Sequence, residues 1–343
     1  MSCMGHMLPE RGRRLLFVQR GVIAHWQTMA VGISPRTVEN LVRSGRWQRV
    51  HRGVYAAFTG QPSREALLWA AVLRTGPQAI LSHETAAELD GLADKPSEPI
   101  HITVPVDQHW RPFPGMAVHR SALIGHIRHP GLLPPRTMIE ETVLDLTQAA
   151  ATFDAAFAWA ARACQRGLTT PTLLRMRMDL RKKLRWRGEL SQALPDVHAG
   201  VHSALEYRYL RHVERAHALP TADRQVRAVG ARGARGIAAG LGTSRGATIY
   251  RDLLYRRYRV AVELDGHAAH PADARWRDIH RDNSAAADGI ITLRYGWTDV
   301  AEHPCGVAAQ VAAVLRRRGW SAAPRRCGPS CLVGQGQTVV TGR

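Results

Sequence analysis

Two short apolar runs, "ATIYRDLLY" at residues 247–255 and "RVAVELDG" at 259–266, constrain the fold of this chain more than any other feature. Each has the length and the β-branched and aromatic content of one buried strand. Only three residues separate them, so they pair with each other. Pairing brings Asp252 next to the Glu263-Leu264-Asp265 end of the second run. Carboxylates gathered in this way repel each other unless a cation or a proton lies between them.

The surrounding pattern extends the unit. Residues from Ser203 to about His217 read as a helix and "RQVRAV" as a strand, followed by the two runs above. Residues 271–289 read as a helix, "IITLRY" as a buried strand and "CGVAAQVAAVLRRRG" as a closing helix. The order is α-β-β-β-α-β-α, an α/β arrangement around a mixed sheet. Its acidic cluster suits a hard divalent cation, Mg²⁺ or Mn²⁺, which takes oxygen ligands. The candidate ligands are the carboxylates of Asp252 and Glu263 and the backbone carbonyl of Leu264. Such an ion polarises a phosphodiester and acidifies water for in-line attack.

Charge names the partner. The chain of 343 residues carries a formal net charge of +19, with Lys95, Lys182 and Lys183 as its lysines and arginine supplying the rest. Both halves are basic, as expected of a protein that binds a polyanion, and DNA fits better than a membrane. The sequence offers no apolar run long enough to span a bilayer and no secretory core near its start, so a cytoplasmic protein is expected. Five scattered cysteines agree with a reducing compartment. A homodimer is expected if both DNA strands are cut.

Five sections are expected: 15–60, 61–165, a basic helical connector at 166–200, 201–320 and a loose tail at 321–343. The second is a small α+β domain in which "SREALLWAAVLRTG" is helical, "HITVPV" and "MAVHRS" are strands, and "ETVLDLTQAAATFDAAFAWAARAC" is one long helix. Residues Gly230 to Gly246, rich in Gly, Ala and Arg, form a long connection, either a DNA-touching loop or an insertion without function. Trp186 in the connector is either a base-stacking or, more simply, a packing residue.

In the first section Val22 to Met29 reads as a helix and Val31-Gly32-Ile33 as a turn. Ser34 is an N-cap, and Pro35 opens a second helix that runs to about Ser44. "GRWQRVHRGVYA" alternates as a hairpin. Helix, turn, helix and basic hairpin together predict a winged helix-turn-helix. Its second helix would present Arg36, Thr37, Asn40 and Arg43 to the major groove. Arg46, Arg49, His51 and Arg52 would lie on phosphates. The turn "GIS", "LVRSGRWQRVHRGVYA" and the following "LSHETAAELDGL" and "IHITVP" resemble AbiEi antitoxins. That resemblance implies DNA binding and, on an alternative reading, a regulator with a cognate toxin that does not cut DNA.

The pieces "SALE", "YRDLLY", "VAVELDG", "HAAH", "RWRDIHRDN" and "LRYGW" resemble the restriction-endonuclease-like PD-(D/E)XK nucleases. The similarity is greatest to the uncharacterised family related to very-short-patch-repair endonucleases. It implies a catalytic set of Asp252, Glu263 and Asp265, with Asp265 standing where the parent pattern has lysine. Glu206 either joins that set or caps its own helix. His270 is a general acid or base or an ordinary turn histidine, with His267 behind it. Arg281 either contacts phosphate or pairs with Asp282. Cys305, Cys327 and Cys331, with His303 as fourth ligand, form a possible zinc set, although the C-x3-C spacing is unusual for one.

Overall fold

The computed structural model describes residues 8–108, 110, 113–228, 249–265 and 289–334. The chain divides into two compact units, the first ending at Arg187 and the second beginning at Gly188.

The first unit opens with α1 (Glu10–Val18), β1 (Val22–Ala24), α2 (His25–Ala30), α3 (Pro35–Arg43), β2 (Gln48–His51) and β3 (Val54–Ala56). The strands form an antiparallel sheet in the order β1-β3-β2. Ile23, Val38, Leu41, Trp47 and Tyr55 form the core beneath α3. The single helix expected from Val22 to Met29 is instead a strand followed by a helix. Gln27 explains the break: its Oε1 accepts the Ala24 N–H at 3.0 Å, ending the strand and capping α2. Gln19 and Gln27 also exchange amide hydrogen bonds of 3.0 and 2.7 Å in the interior.

The same unit continues through α4 (Arg64–Thr75), β4 (Ile80–Leu81), α5 (His83–Leu89), β5 (Ile100–Pro105) and β6 (Met116–Ser121). Four more helices follow: α6 (Ile124–Ile127), α7 (Ile139–Ala149), α8 (Phe153–Gln165) and α9 (Pro171–Leu180). The sheet order is β4-β5-β6, with β5 and β6 parallel. The long helix expected from Glu141 onward is two, α7 and α8. Ala150 is extended after α7, and the Thr152 hydroxyl caps a new helix by accepting the Ala155 N–H at 3.3 Å. The basic run after α9 is partly internal. Arg181 bonds Glu141 at 2.7 Å and Asp145 at 2.8 Å. Trp186 packs on Phe153 and donates its indole N–H to the Ala150 carbonyl at 3.3 Å.

The second unit contains α10 (Arg187–His198), then α11 (Ala204–Arg208), which runs straight into a π-helical segment, Tyr209–Arg215. Next come β7 (Asp223–Ala228), β8 (Ile249–Tyr255), β9 (Val260–Asp265), β10 (Ile291–Gly296), α12 (Trp297–Glu302) and α13 (Pro304–Arg317). The sheet order is β10-β9-β8-β7, antiparallel from β7 to β9, with β10 parallel to β9. One face carries Leu253, Tyr255, Val260 and Val262, packed with Leu205, Tyr209 and Val213 and with Val307, Val311 and Leu315 of α13. The described part of the tail, residues 321–334, differs from the loose segment expected. Cys331 and Val333 are buried in this core, because the chain after Trp320 folds back over it.

Candidate functional site

Strand register sets the chemistry of the second unit. Leu253 of β8 lies opposite Val262 of β9, with both side chains in the core. The β8–β9 pairing ends at this pair, and Asp252 and Glu263 are the next residues beyond it on the two strands. Gln225 lies in β7 between the paired positions Arg224–Leu253 and Val226–Arg251, and Arg294 of β10 is the parallel partner of Glu263. A row of polar residues, Gln225, Asp252, Glu263 and Arg294, thus occupies neighbouring positions on the four strands. Glu263 is buried, 4% exposed. Asp252 Oδ2 accepts the Leu264 N–H at 2.8 Å, so the carboxylate holds the end of β9 in place. Asp265, at the exposed end of the strand, lies 3.8 Å from Arg294.

Glu206 approaches the row from α11. It is buried, and both its oxygens are occupied. Oε2 accepts the His202 N–H at 3.0 Å, while Oε1 accepts from the Ser203 hydroxyl at 3.1 Å and from Gln225 at 3.4 Å. Ser203 in turn caps the Glu206 N–H. Glu206 therefore serves its own helix start and also reaches the sheet. Burial, and then the Asp252 charge, push its carboxyl up to about 7 against the pull of its hydrogen bonds. His202 is held below the usual imidazole range by burial, with Asp252 opposing. His270, Arg281, His267 and Asp282 lie outside the described residues, as does the segment from Gly230 to Gly246.

The set is chemically suited to a hard cation. Asp252 and Glu263 lie on adjacent strands and Glu206 comes from α11, its carboxyl raised by burial and by the Asp252 charge. As a trio, however, Glu206, Asp252 and Glu263 are not drawn as tightly as two other clusters among the described residues. In His83–His101–His119 and in His217–Cys305–Cys327–Cys331, all potential ligand atoms fall within 4.8 Å of one another.

The histidine cluster has no signature in the sequence, because its members come from α5, β5 and β6. His83 stacks on His119 with ring centroids 3.7 Å apart, and His101 Nδ1 lies 3.0 Å from His119 Nε2. Burial and the neighbouring cationic groups push His83 down to about 3. His119 falls to about 4, from burial and from the other two rings. The cluster borders a cavity of about 370 Å³ also lined by Asp145, Arg181, Lys182 and Lys183.

In the first unit α3 offers a basic face. Val38 and Leu41 point inward, while Arg36, Asn40 and Arg43, spaced at i, i+4 and i+7, are exposed. Thr37 is half-buried, its amide held by the Ser34 hydroxyl at 3.1 Å. Arg46, Arg49 and Arg52 are exposed on and around the β2–β3 hairpin. The half-buried His51 ring meets Phe113 edge-on, centroids 5.5 Å apart. Residues 27–57, which span α2, α3 and the hairpin, match the family of transcriptional regulators described as AbiEi antitoxins. The N-terminal segment is thus AbiEi-like. No curated protein matches the chain.

Proposed function

We propose that the protein binds DNA through its first 58 residues and cuts it with a metal-dependent phosphodiesterase site in the second unit. In the binding part, residues 8–58 act as a winged helix. There α3 enters the major groove with Arg36, Asn40 and Arg43, and Thr37 borders the contact. Arg46, Arg49 and Arg52 hold phosphates. The AbiEi-like match over residues 27–57 supports this part.

The cutting reading rests on one observation: Asp252 and Glu263 lie just beyond the last paired position of adjacent strands, with Glu206 charge-coupled to Asp252. The fold around them, a mixed four-stranded sheet with α11 and α13 on one face, is compatible with a restriction-endonuclease-like core. Asp252, Glu263 and the Leu264 carbonyl would hold Mg²⁺ or Mn²⁺, which supplies Lewis-acid polarisation of the phosphate. Asp252 accepts the Leu264 N–H, which fixes the Glu263–Leu264 peptide beside the carbonyl that would face the ion. Glu206 holds or releases a proton near neutral pH beside Asp252. Arg294, next to Glu263 in the sheet, supplies the fixed positive charge for which this unit has no lysine.

A second reading, an AbiEi-like regulator that binds without cutting and answers to a cognate toxin, draws on two observations. The family match stops at residue 57, and the Asp252 carboxylate is already engaged by the Leu264 N–H. Supercoiled plasmid separates the two. The cutting reading expects nicking or linearisation with Mg²⁺ or Mn²⁺, none with EDTA, and loss of cutting in Asp252→Asn and Glu263→Gln with DNA affinity kept. Intact plasmid under every metal condition, with the wild-type protein still bound to it, leaves the regulator.

A further inference from the structure

We propose that His217, Cys305, Cys327 and Cys331 bind a structural Zn²⁺ ion that fastens the C-terminal tail onto the second unit. The four residues come from three places far apart in sequence. His217 follows the π-helical segment, Cys305 sits in the first turn of α13, and Cys327 and Cys331 lie in the tail. Chance packing rarely gathers three thiols and an imidazole with one ligand atom of each within 4.8 Å of the others. Three soft sulfurs and one nitrogen are the donor set that suits tetrahedral zinc, not a hard cation.

The details around each ligand favour a metal. His217 is fully buried, 0% exposed. Its Nδ1 lies 3.0 Å from the Val213 carbonyl, which makes Nδ1 the proton-bearing nitrogen and leaves the Nε2 lone pair for a ligand. Nε2 is buried with no hydrogen-bond partner, an orphan that a metal bond would satisfy. Cys305 and Cys327 sulfurs are 3.4 Å apart, far too long for a disulfide. Two thiolates on one tetrahedral zinc stand about 3.8 Å apart, given Zn–S bonds of about 2.3 Å.

The tail is shaped around the same point. The Arg325 N–H bonds the His217 carbonyl at 2.8 Å, and its guanidinium reaches the Arg215 carbonyl at 3.1 Å. All four positions are filled by protein, so the ion would be structural with no open site for a substrate. The site differs from the set expected from sequence in its nitrogen ligand: His217 takes the place assigned to His303.

The test uses the full-length protein purified under reducing conditions without metal-affinity steps. Elemental analysis with native mass spectrometry should find one zinc per chain, retained through dialysis and released by a mercurial that titrates thiols. Replacing zinc by Co²⁺ should give thiolate-to-metal charge-transfer bands. Cys327→Ser is the main variant, because Cys327 is exposed and its loss leaves no core cavity. It should abolish stoichiometric zinc and lower the thermal midpoint, while Cys164→Ser, in α8, keeps both. Wild-type protein that takes up no zinc when offered ZnSO₄ in reducing buffer would overturn the proposal. So would zinc content unchanged in both Cys327→Ser and His217→Gln, or Co²⁺ spectra lacking charge-transfer bands.

Discussion

Replacing Arg46, Arg49 and Arg52 together by glutamine tests the DNA-binding reading where its magnitude can be worked out. The three side chains are exposed, and none is paired with a carboxylate among the described residues. Around them, residues 8–58 hold nine arginines against Glu10 and Glu39. Each phosphate neutralised by a cation contributes about 0.9 to the slope of log affinity against log salt. If all three arginines contact phosphate, the slope should shrink by about 2.7. Between about 50 and 200 mM salt the wild-type protein should then lose about 40-fold more affinity than the variant. Fluorescence anisotropy of a labelled duplex, repeated across a salt series, reads this directly. Circular dichroism checks that the fold is unchanged, as expected for exposed side chains. An unchanged slope would remove the hairpin from the DNA and with it the proposed docking of α3.

Stability of the first unit should fall on acidification through His83. Its folded pKa is depressed, so its contribution is intact above about 6.5, where the ring is neutral in both states. That contribution is lost as pH falls toward about 3, because only the unfolded chain accepts the proton. The loss should reach about 2 kcal/mol by pH 5, at about 1.4 kcal/mol per pH unit. His83→Gln should flatten the urea midpoint between pH 7 and 5, and an equally steep fall in the variant would exclude His83 as the cause. The Arg136–Asp90 pair, 2.6 Å long with both side chains 9% exposed, gives a second stability test. Arg136→Leu should cost about 3–5 kcal/mol by stranding a buried carboxylate, and adding Asp90→Leu should recover much of it. A double variant no more stable than the single one would contradict that account.

What could be read beforehand divides along physical lines. α3 was legible because its signals are local: Ser34 caps, Pro35 starts, and Val38 and Leu41 mark one face. The strands of the second unit were legible for the same reason, and Asp252 and Glu263 followed once the two runs were paired. β1 was misread because Val22-Ile23-Ala24 is too short for periodicity to separate strand from helix start, and the deciding group is the Gln27 side chain. The break at Thr152 was hidden by apolar residues that keep helical spacing on both sides of it. His217 could not be found from spacing, since 88 positions separate it from Cys305. The stacked histidines depend on β5 and β6 being parallel, and two strands read singly do not reveal that.

The π-helical segment Tyr209–Arg215 runs on from the helix that carries Glu206, and His217 lies in the turn two residues past its end. A wide turn of this kind is built by one residue more than an α-helix would use over the same rise. Deleting a single residue there would let the segment return to ordinary winding with its length and its phase nearly kept, because fewer residues at the tighter winding turn the chain about as far. Glu206 would keep its place beside Gln225, and His217 its place beside the cysteines. These seven residues thus absorb a change of length by one without disturbing what lies at either end. Homologous chains that are one residue shorter at this point should therefore keep the residues on both sides of it.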